Sequence, residues 1–248
     1  MTTDRRPASP RTGPNPNAAE THARRPDITA EPRAVLYAIF SKTITSPFES
    51  DPEQAAVLWQ DETAEILADI SAALPYRIDF SAFAHRLQDL RERDLGDVRR
   101  EYSALFEVGD DGPPVPLRAE LVRSADNKLK EEVVRFYDYF SYGLKDDFSW
   151  APDHLAVMLE FMQVLCAKEA VSEDVSEQQS LARAQLDFLD RHIVSWLPMS
   201  ISRLVEQKRE GFYAHAMTKL WEFLEQDRIW CGDTVSPLPQ AETDGGRT

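Results

Sequence analysis

The amino-acid sequence indicates an all-helical protein, and three observations support this prediction. The stretch from residue 29 to residue 230 contains only five glycines. Its apolar residues recur at spacings of three and four, the period of a helix face, rather than at the spacing of two that marks a strand. Several segments begin with an acidic residue or a proline, which favour the first turn of a helix. We therefore expect an all-α bundle.

Both ends of the chain differ in composition from this helical body. The first 28 residues hold five prolines and five arginines but almost no apolar side chain larger than alanine. Burial therefore cannot offset the entropy of ordering them. The last residues, with two prolines and a Gly-Gly pair, are similar. The sequence thus predicts a disordered arm over residues 1–28, a helical domain over residues 29–230 and a disordered tail over residues 231–248.

Apolar periodicity and helix-terminal residues predict eight helices in the domain. The second starts at Asp51-Pro52-Glu53-Gln54, which supplies an N-cap, a proline at the first helical position and a capping-box glutamine. Gly143 is placed to end the fifth. The sixth starts with Pro152 and is apolar on two faces, which is typical of a central helix. The predicted helices are Ala30–Thr45, Asp51–Leu74, Asp79–Leu90, Asp97–Phe106, Leu117–Tyr142, Pro152–Cys166, Leu181–Trp196 and Phe212–Ile229.

The longest irregular segment of the domain separates the fourth and fifth predicted helices. Gly109-Asp110-Asp111-Gly112-Pro113-Pro114-Val115-Pro116 contains two glycines and three prolines, which exclude helix. Two interpretations are open, a hinge at about residues 108–117 between two helical subdomains or a long loop. A hinge would permit chain exchange, so we expect either a monomer or a swapped homodimer.

Composition and motifs disfavour several functions. The net charge of −15 disfavours nucleic-acid binding, and no apolar stretch approaches the roughly 20 residues that a membrane span needs. Neither the two cysteines nor the five histidines have metal-site spacing, and no phosphate loop or nucleophile elbow is present. We therefore expect no catalytic residue, metal or cofactor. No apolar segment follows Arg5-Arg6 or Arg24-Arg25, so we expect a cytoplasmic protein.

The most apolar predicted helix begins with Trp150-Ala151-Pro152-Asp153-His154-Leu155. Backbone N–H groups in the first turn of a buried helix lack partners, and Asp153 is suited to cap that turn or to complement the helix dipole. His154 should stay neutral near the positive end of the helix. From residue chemistry alone, this segment is a helix start.

The same segment resembles the signature of a known family. Pro152-Asp153-His154-Leu155 with Leu159-Glu160-Phe161-Met162 is similar to the signature helix of the TorD/DmsD/NarJ family of redox enzyme maturation chaperones. Further segments agree with that family in order: Glu101–Phe106 with Val108-Gly109 and Pro113-Pro114, Phe188–Ile193 with Trp196-Leu197-Pro198, and Gly211-Phe212-Tyr213 with Ala216. The resemblance spans about Ala34 to Trp230, and it departs at Val115–Glu120, where the family commonly has a Tyr-Glu-Ser run.

This resemblance implies a system-specific chaperone that binds the twin-arginine signal peptide and the apo form of a molybdopterin-dependent catalytic subunit. Such a chaperone assists cofactor insertion and prevents premature export. The implied client is of the dimethyl sulfide or ethylbenzene dehydrogenase type or the selenate or chlorate reductase type. A receptor for two arginines beside an apolar stretch needs carboxylates near an apolar groove. The implied binding residues are Glu101, Tyr102, Phe106, Trp150, Pro152, Asp153 and His154.

Other interpretations of the same residues stay open. Tyr102 and Phe106 lie at helical spacing and are equally suited to packing in the core. The protein would be a helical adaptor without a redox client if its groove did not prefer Arg-Arg over Lys-Lys. A nucleotide-hydrolysing enzyme is a weaker alternative, because no phosphate-binding loop is present.

Overall fold

The computed structural model describes residues 24–47, 63–109, 112–123, 127–143, 151–207 and 210–235. These residues form ten α-helices and one π-helical turn, without strands, which confirms the predicted all-α fold. The helices are α1 (Pro26–Thr43), α2 (Thr63–Ala73), α3 (Ser81–Glu92), α4 (Leu95–Phe106), α5 (Ala119–Val122), α6 (Asn127–Tyr139), α7 (Leu155–Val171), α8 (Val175–Phe188), α9 (Leu197–Glu206) and α10 (Phe212–Thr234), with the π turn at Leu189–Ile193.

Helix α7 lies at the centre of the bundle, as its two apolar faces predict. Most of its side chains from Leu155 to Cys166 are buried. Helix α1 packs along it, and the Ser41 hydroxyl of α1 donates to the Ala156 carbonyl at 2.8 Å. Helices α3 and α10 close the core, because the Phe40 ring stacks on Phe83 and Phe223 with centroids 5.2 and 5.7 Å apart. Burial of these aromatic side chains is the main stabilising contribution here.

The folded body extends past both predicted boundaries. Helix α1 begins at Pro26 rather than Ala30, and Arg24 is already paired with Glu169 of α7, so residues 24–28 are not part of a disordered arm. At the other end, α10 continues to Thr234. Proline at the first helical position favours the early start, and the carboxylate that anchors Arg24 is remote in sequence. Residues 1–23, the predicted helix start at Asp51 and residues 236–248 lie outside the described residues.

Several helix ends also differ from prediction. The predicted helix Leu117–Tyr142 is two helices, α5 and α6. Ser141 adopts a left-handed conformation with φ of 55° and ends α6 before Gly143. Asp94 rather than Asp97 precedes α4, and its carboxylate accepts from the N–H groups of Gly96 and Asp97.

The second half of the Gly/Pro-rich segment is packed against three helices. The Val115 N–H donates to the Leu105 carbonyl, and the Ser200 hydroxyl donates to the Pro116 carbonyl, both at 2.8 Å. The Leu117 carbonyl accepts from the Leu155 N–H, also at 2.8 Å. Val115 and Leu117 belong to one continuous apolar cluster that includes residues on both sides of the segment. These contacts describe one packed arrangement of the segment, and a hinge here between two subdomains stays a prediction.

Among the helices of the described ranges, none has the length and apolar character needed to cross a membrane.

Candidate functional site

The segment Pro152-Asp153-His154 forms a corner between helices α5, α6 and α7. The Ala119 N–H donates to the Asp153 carbonyl at 3.2 Å, so the residues before α5 and α7 run side by side in opposite directions. The Tyr137 hydroxyl of α6 donates to the Pro152 carbonyl at 2.9 Å. Hydrogen bonds from the start of α5 and from α6 therefore fix the position of this corner.

Asp153 caps a helix, but that helix is α5 and not its own. Its side chain is fully buried, and one carboxylate oxygen accepts from the Glu120 N–H at 2.9 Å. The other oxygen lies 3.6 Å from Nε of Arg118. These contacts occupy Asp153 inside the fold, so pairing with a client arginine would require Arg118 to move aside.

His154 is the residue that caps α7. Its Nδ1 atom accepts from the Ala156 N–H at 3.1 Å, which requires a neutral ring with the proton on the other nitrogen. Burial, together with the nearby charge of Arg118, lowers the pKa of His154 to about 3. His154 is therefore neutral at physiological pH, as the sequence predicts.

Glu101, Tyr102 and Phe106 form a second group around Tyr213 at the start of α10. The Tyr102 ring lies 5.0 Å from Phe106 and 5.2 Å from Tyr213, and both aromatic side chains of α4 are buried. One carboxylate oxygen of Glu101 accepts from the Tyr213 N–H at 3.0 Å, and the other accepts from Arg93 at 2.7 Å. This placement favours the core-packing interpretation of Tyr102 and Phe106.

The structure thus arranges the sequence-derived site in two groups, joined by the packed residues 115–117. Trp150 lies outside the described residues. Most of these side chains are buried and bonded within the chain. Binding of a client by these residues stays a prediction.

An aromatic groove between α6 and α8 was not predicted. It has a volume of about 430 Å³, and Tyr139 at its edge is 77% exposed. The groove is lined by Glu132, Arg135, Phe136, Tyr139, Phe140, Ser180, Ala184 and Arg191. A second depression of about 530 Å³ shares Tyr139, Phe140 and Ser180 with it and adds two carboxylates, Asp174 and Glu177, and one ammonium group, Lys168. The signal in the sequence was Phe136-Tyr137-Asp138-Tyr139-Phe140, which carries more aromatic residues than one helix face can bury.

A buried ionic network between α1 and α10 was also missed. The Asp227 carboxylate accepts from Nε of Arg33 at 2.5 Å and from the hydroxyls of Tyr37 and Tyr76, each at 2.7 Å. Burial alone would raise the pKa of Asp227, but Arg33 and these hydrogen bonds lower it below its usual value. The periodicity of α1 did not reveal this network, because the partners are remote in sequence.

Among the described residues, no group of three or more histidine, cysteine or acidic side chains is placed to hold a metal ion.

Comparison with known proteins identifies the family. Residues 58–202 match the family model described as nitrate reductase delta subunit, and this chain therefore belongs to that family, the TorD/NarJ family indicated by the motifs. It is 34% identical over 166 residues to the selenate reductase assembly chaperone protein of Thauera selenatis, covering 62% of this chain and 83% of that protein. It is 35% identical over 139 residues to the chlorate reductase assembly chaperone protein of Ideonella dechloratans, covering 55% and 71%. It is 27% identical over 217 residues to the chaperone protein TorD of Shewanella oneidensis, covering 82% and 92%.

Proposed function

We propose that this chain is the assembly chaperone of a molybdenum-dependent oxidoreductase. It binds the apo catalytic subunit in the cytoplasm through a twin-arginine signal peptide and holds it until the cofactor is inserted. Two relatives are named as assembly chaperones of selenate and chlorate reductases, which favours a client of that type. The relatives are named as chaperones, which also disfavours the nucleotide-hydrolysing alternative.

The aromatic groove is the observation that carries this proposal. Its aromatic lining of Phe136, Tyr139 and Phe140 suits the apolar segment of a signal peptide. The carboxylates of Asp174 and Glu177 in the adjoining depression attract the positive charges that precede that segment. Since residues 115–117 are packed into the core, we propose that the active form is a monomer.

Peptide binding to the full chain tests this function. The probe is a fluorescent peptide with an Arg-Arg pair followed by about 12 apolar residues, and its control carries Lys-Lys instead. We expect the Arg-Arg peptide to bind about tenfold more tightly in fluorescence anisotropy, because guanidinium groups bind carboxylates in a bidentate manner. Equal binding of both peptides would instead support the adaptor interpretation.

A pair of matched variants tests the location of the site. Tyr139→Ala removes an exposed ring from the groove, whereas Val205→Ala removes a side chain of 69% exposure from α9, outside the groove. We expect Tyr139→Ala to weaken peptide binding about fivefold, corresponding to ~1 kcal/mol for one aromatic contact. Val205→Ala should leave the affinity unchanged, and equal effects of both variants would place the peptide elsewhere.

A further inference from the structure

Helices α7, α8 and α10 together form a site for a guanidinium group. Glu169 of α7 and Gln185 of α8 are almost fully buried, and the Gln185 amide donates to the Glu169 carboxylate at 2.7 Å. The indole of Trp230 on α10 supplies an aromatic face beside them. A carboxylate held in place by a neighbouring amide, next to an aromatic plane, suits a planar cation with several N–H donors.

Arg24 occupies this site. Its Nε and one terminal nitrogen bind the two oxygens of Glu169 at 2.6 and 2.9 Å, a bidentate pair. The same terminal nitrogen donates to the Gln185 side-chain oxygen at 2.9 Å, and the other lies 3.4 Å from the Thr234 hydroxyl oxygen. The guanidinium carbon lies 4.8 Å from the centroid of the Trp230 ring. Only 10% of the Arg24 side chain is exposed.

The charged residues next to Glu169 are paired independently of Arg24. Arg33 of α1 is fully buried, binds Asp227 in a bidentate manner and lies 3.6 Å from Glu169. The charges balance, because the two arginines, Arg24 and Arg33, face the two carboxylates of Glu169 and Asp227. If Arg24 leaves, the remaining three groups carry a net charge of −1, which attracts another guanidinium.

Arg24 is attached to the body in a way that allows exchange. It precedes Arg25, the N-cap residue of α1, so its side chain can leave the site without disturbing a hydrogen bond of the helix ladder. Arg33 lies within α1 and has no such freedom. The neighbouring Arg25 carries the same charge, but its side chain is 62% exposed and pairs with the exposed Asp27 at 2.9 Å.

We propose that this guanidinium site binds an arginine of the client's signal peptide, and that Arg24 occupies it as an internal competitor until the client displaces it. This inference rests on the proposed function. The exposed carboxylates of Asp174 and Glu177 attract lysine as well as arginine, so the preference for Arg-Arg expected above comes from the buried carboxylate of Glu169, which binds the planar guanidinium in a bidentate manner. The exchange supplies discrimination between Arg-Arg and Lys-Lys, and it keeps a buried carboxylate paired in the absence of a client.

Arg24→Ala and Arg25→Ala in the full chain test the competition, because the two variants lose the same charge from adjacent positions. We expect Arg24→Ala to bind the Arg-Arg peptide about tenfold more tightly than the unmodified chain. This gain corresponds to a site that is free of Arg24 only about one-tenth of the time. Arg25→Ala should bind as the unmodified chain does. Thermal unfolding checks that each variant is folded. If Arg24→Ala does not fold, Arg24→Lys replaces it and should show a smaller gain, because lysine cannot form the bidentate pair.

Glu169→Gln tests whether the Glu169 carboxylate is the group that binds the peptide arginine. Combined with Arg24→Ala, it should remove the gain and reduce the preference for Arg-Arg over Lys-Lys, since the amide keeps the shape but loses the charge. The inference is overturned if the unmodified chain binds the peptide while Arg24→Ala binds it equally or more weakly, or if Glu169→Gln leaves the gain intact. If neither the unmodified chain nor any variant binds the Arg-Arg peptide, the proposed function fails with it.

Discussion

Asp153 shows how one side chain can satisfy a sequence pattern for a reason different from the expected one. The sequence places it at the start of α7, where a cap is needed, yet its carboxylate accepts from the Glu120 N–H of α5, and His154 caps α7. The Pro-Asp-His segment therefore joins two helix starts through adjacent residues. Its fully buried carboxylate has a structural role that is independent of any client.

Asp153→Ala should lower the stability of the protein. The change leaves the Glu120 N–H without its acceptor and removes the carboxylate beside Arg118, which costs about 1–3 kcal/mol of unfolding free energy. Urea unfolding measures this loss, and Asp153→Asn, which keeps an acceptor oxygen, should lose less. A folded Asp153→Ala protein of unchanged stability that binds the Arg-Arg peptide more weakly would instead show that Asp153 contacts the client.

Helices α4 and α10 are joined by the two motifs Glu101–Phe106 and Gly211-Phe212-Tyr213. Glu101 caps α10 through the Tyr213 N–H, and Gly211 precedes that helix. A Cβ atom at Gly211 would lie 2.4 Å from one carboxylate oxygen of Glu101, so the carboxylate holds its present position because residue 211 has no side chain. The two motifs are far apart in sequence but form one contact. This contact explains why a glutamate in the first motif occurs together with a glycine in the second.

Gly211→Ala should displace Glu101 and break its cap on α10. We expect a loss of about 1–2 kcal/mol of unfolding free energy, the usual cost of a lost helix cap. Gly143→Ala is the matched control, because a Cβ there meets no atom of the described residues within 4 Å. Urea unfolding compares the two variants. Equal stability of both would mean that Glu101 finds another acceptable position.

The entire bundle depends on keeping several polar groups uncharged or paired inside it. His192 contacts the rings of Phe136 and Phe188, with centroids 5.1 and 5.0 Å away, and burial together with the charge of Arg191 lowers its pKa to about 4. His154 shows the same behaviour at the start of α7, with a pKa of about 3. Since a histidine in the unfolded chain takes up its proton near pH 6.5, acid favours the unfolded state.

The stability of the protein should therefore fall as the pH decreases below about 6.5. At pH 5 the unfolded chain has bound a proton at the position of His154 while the folded chain has not, which costs up to about 2 kcal/mol. His154→Asn keeps a capping side chain but cannot titrate, so its unfolding free energy should depend less on pH between 6.5 and 5. Parallel pH profiles of the two proteins in urea unfolding would contradict this assignment.

The sequence alone determined the helical fold, the start of α10 and the family, because apolar periodicity, helix-terminal residues and short motifs are local properties of the chain. Only the tertiary structure decided that Asp153 and Tyr102 are buried, that α6 and α8 leave an aromatic groove between them, and that Arg24 fills a site made by Glu169, Gln185 and Trp230. The physical reason is that exposure and pairing depend on which helix faces meet. Those contacts join residues such as Arg24 and Glu169 that are remote in the sequence, where no local pattern records them.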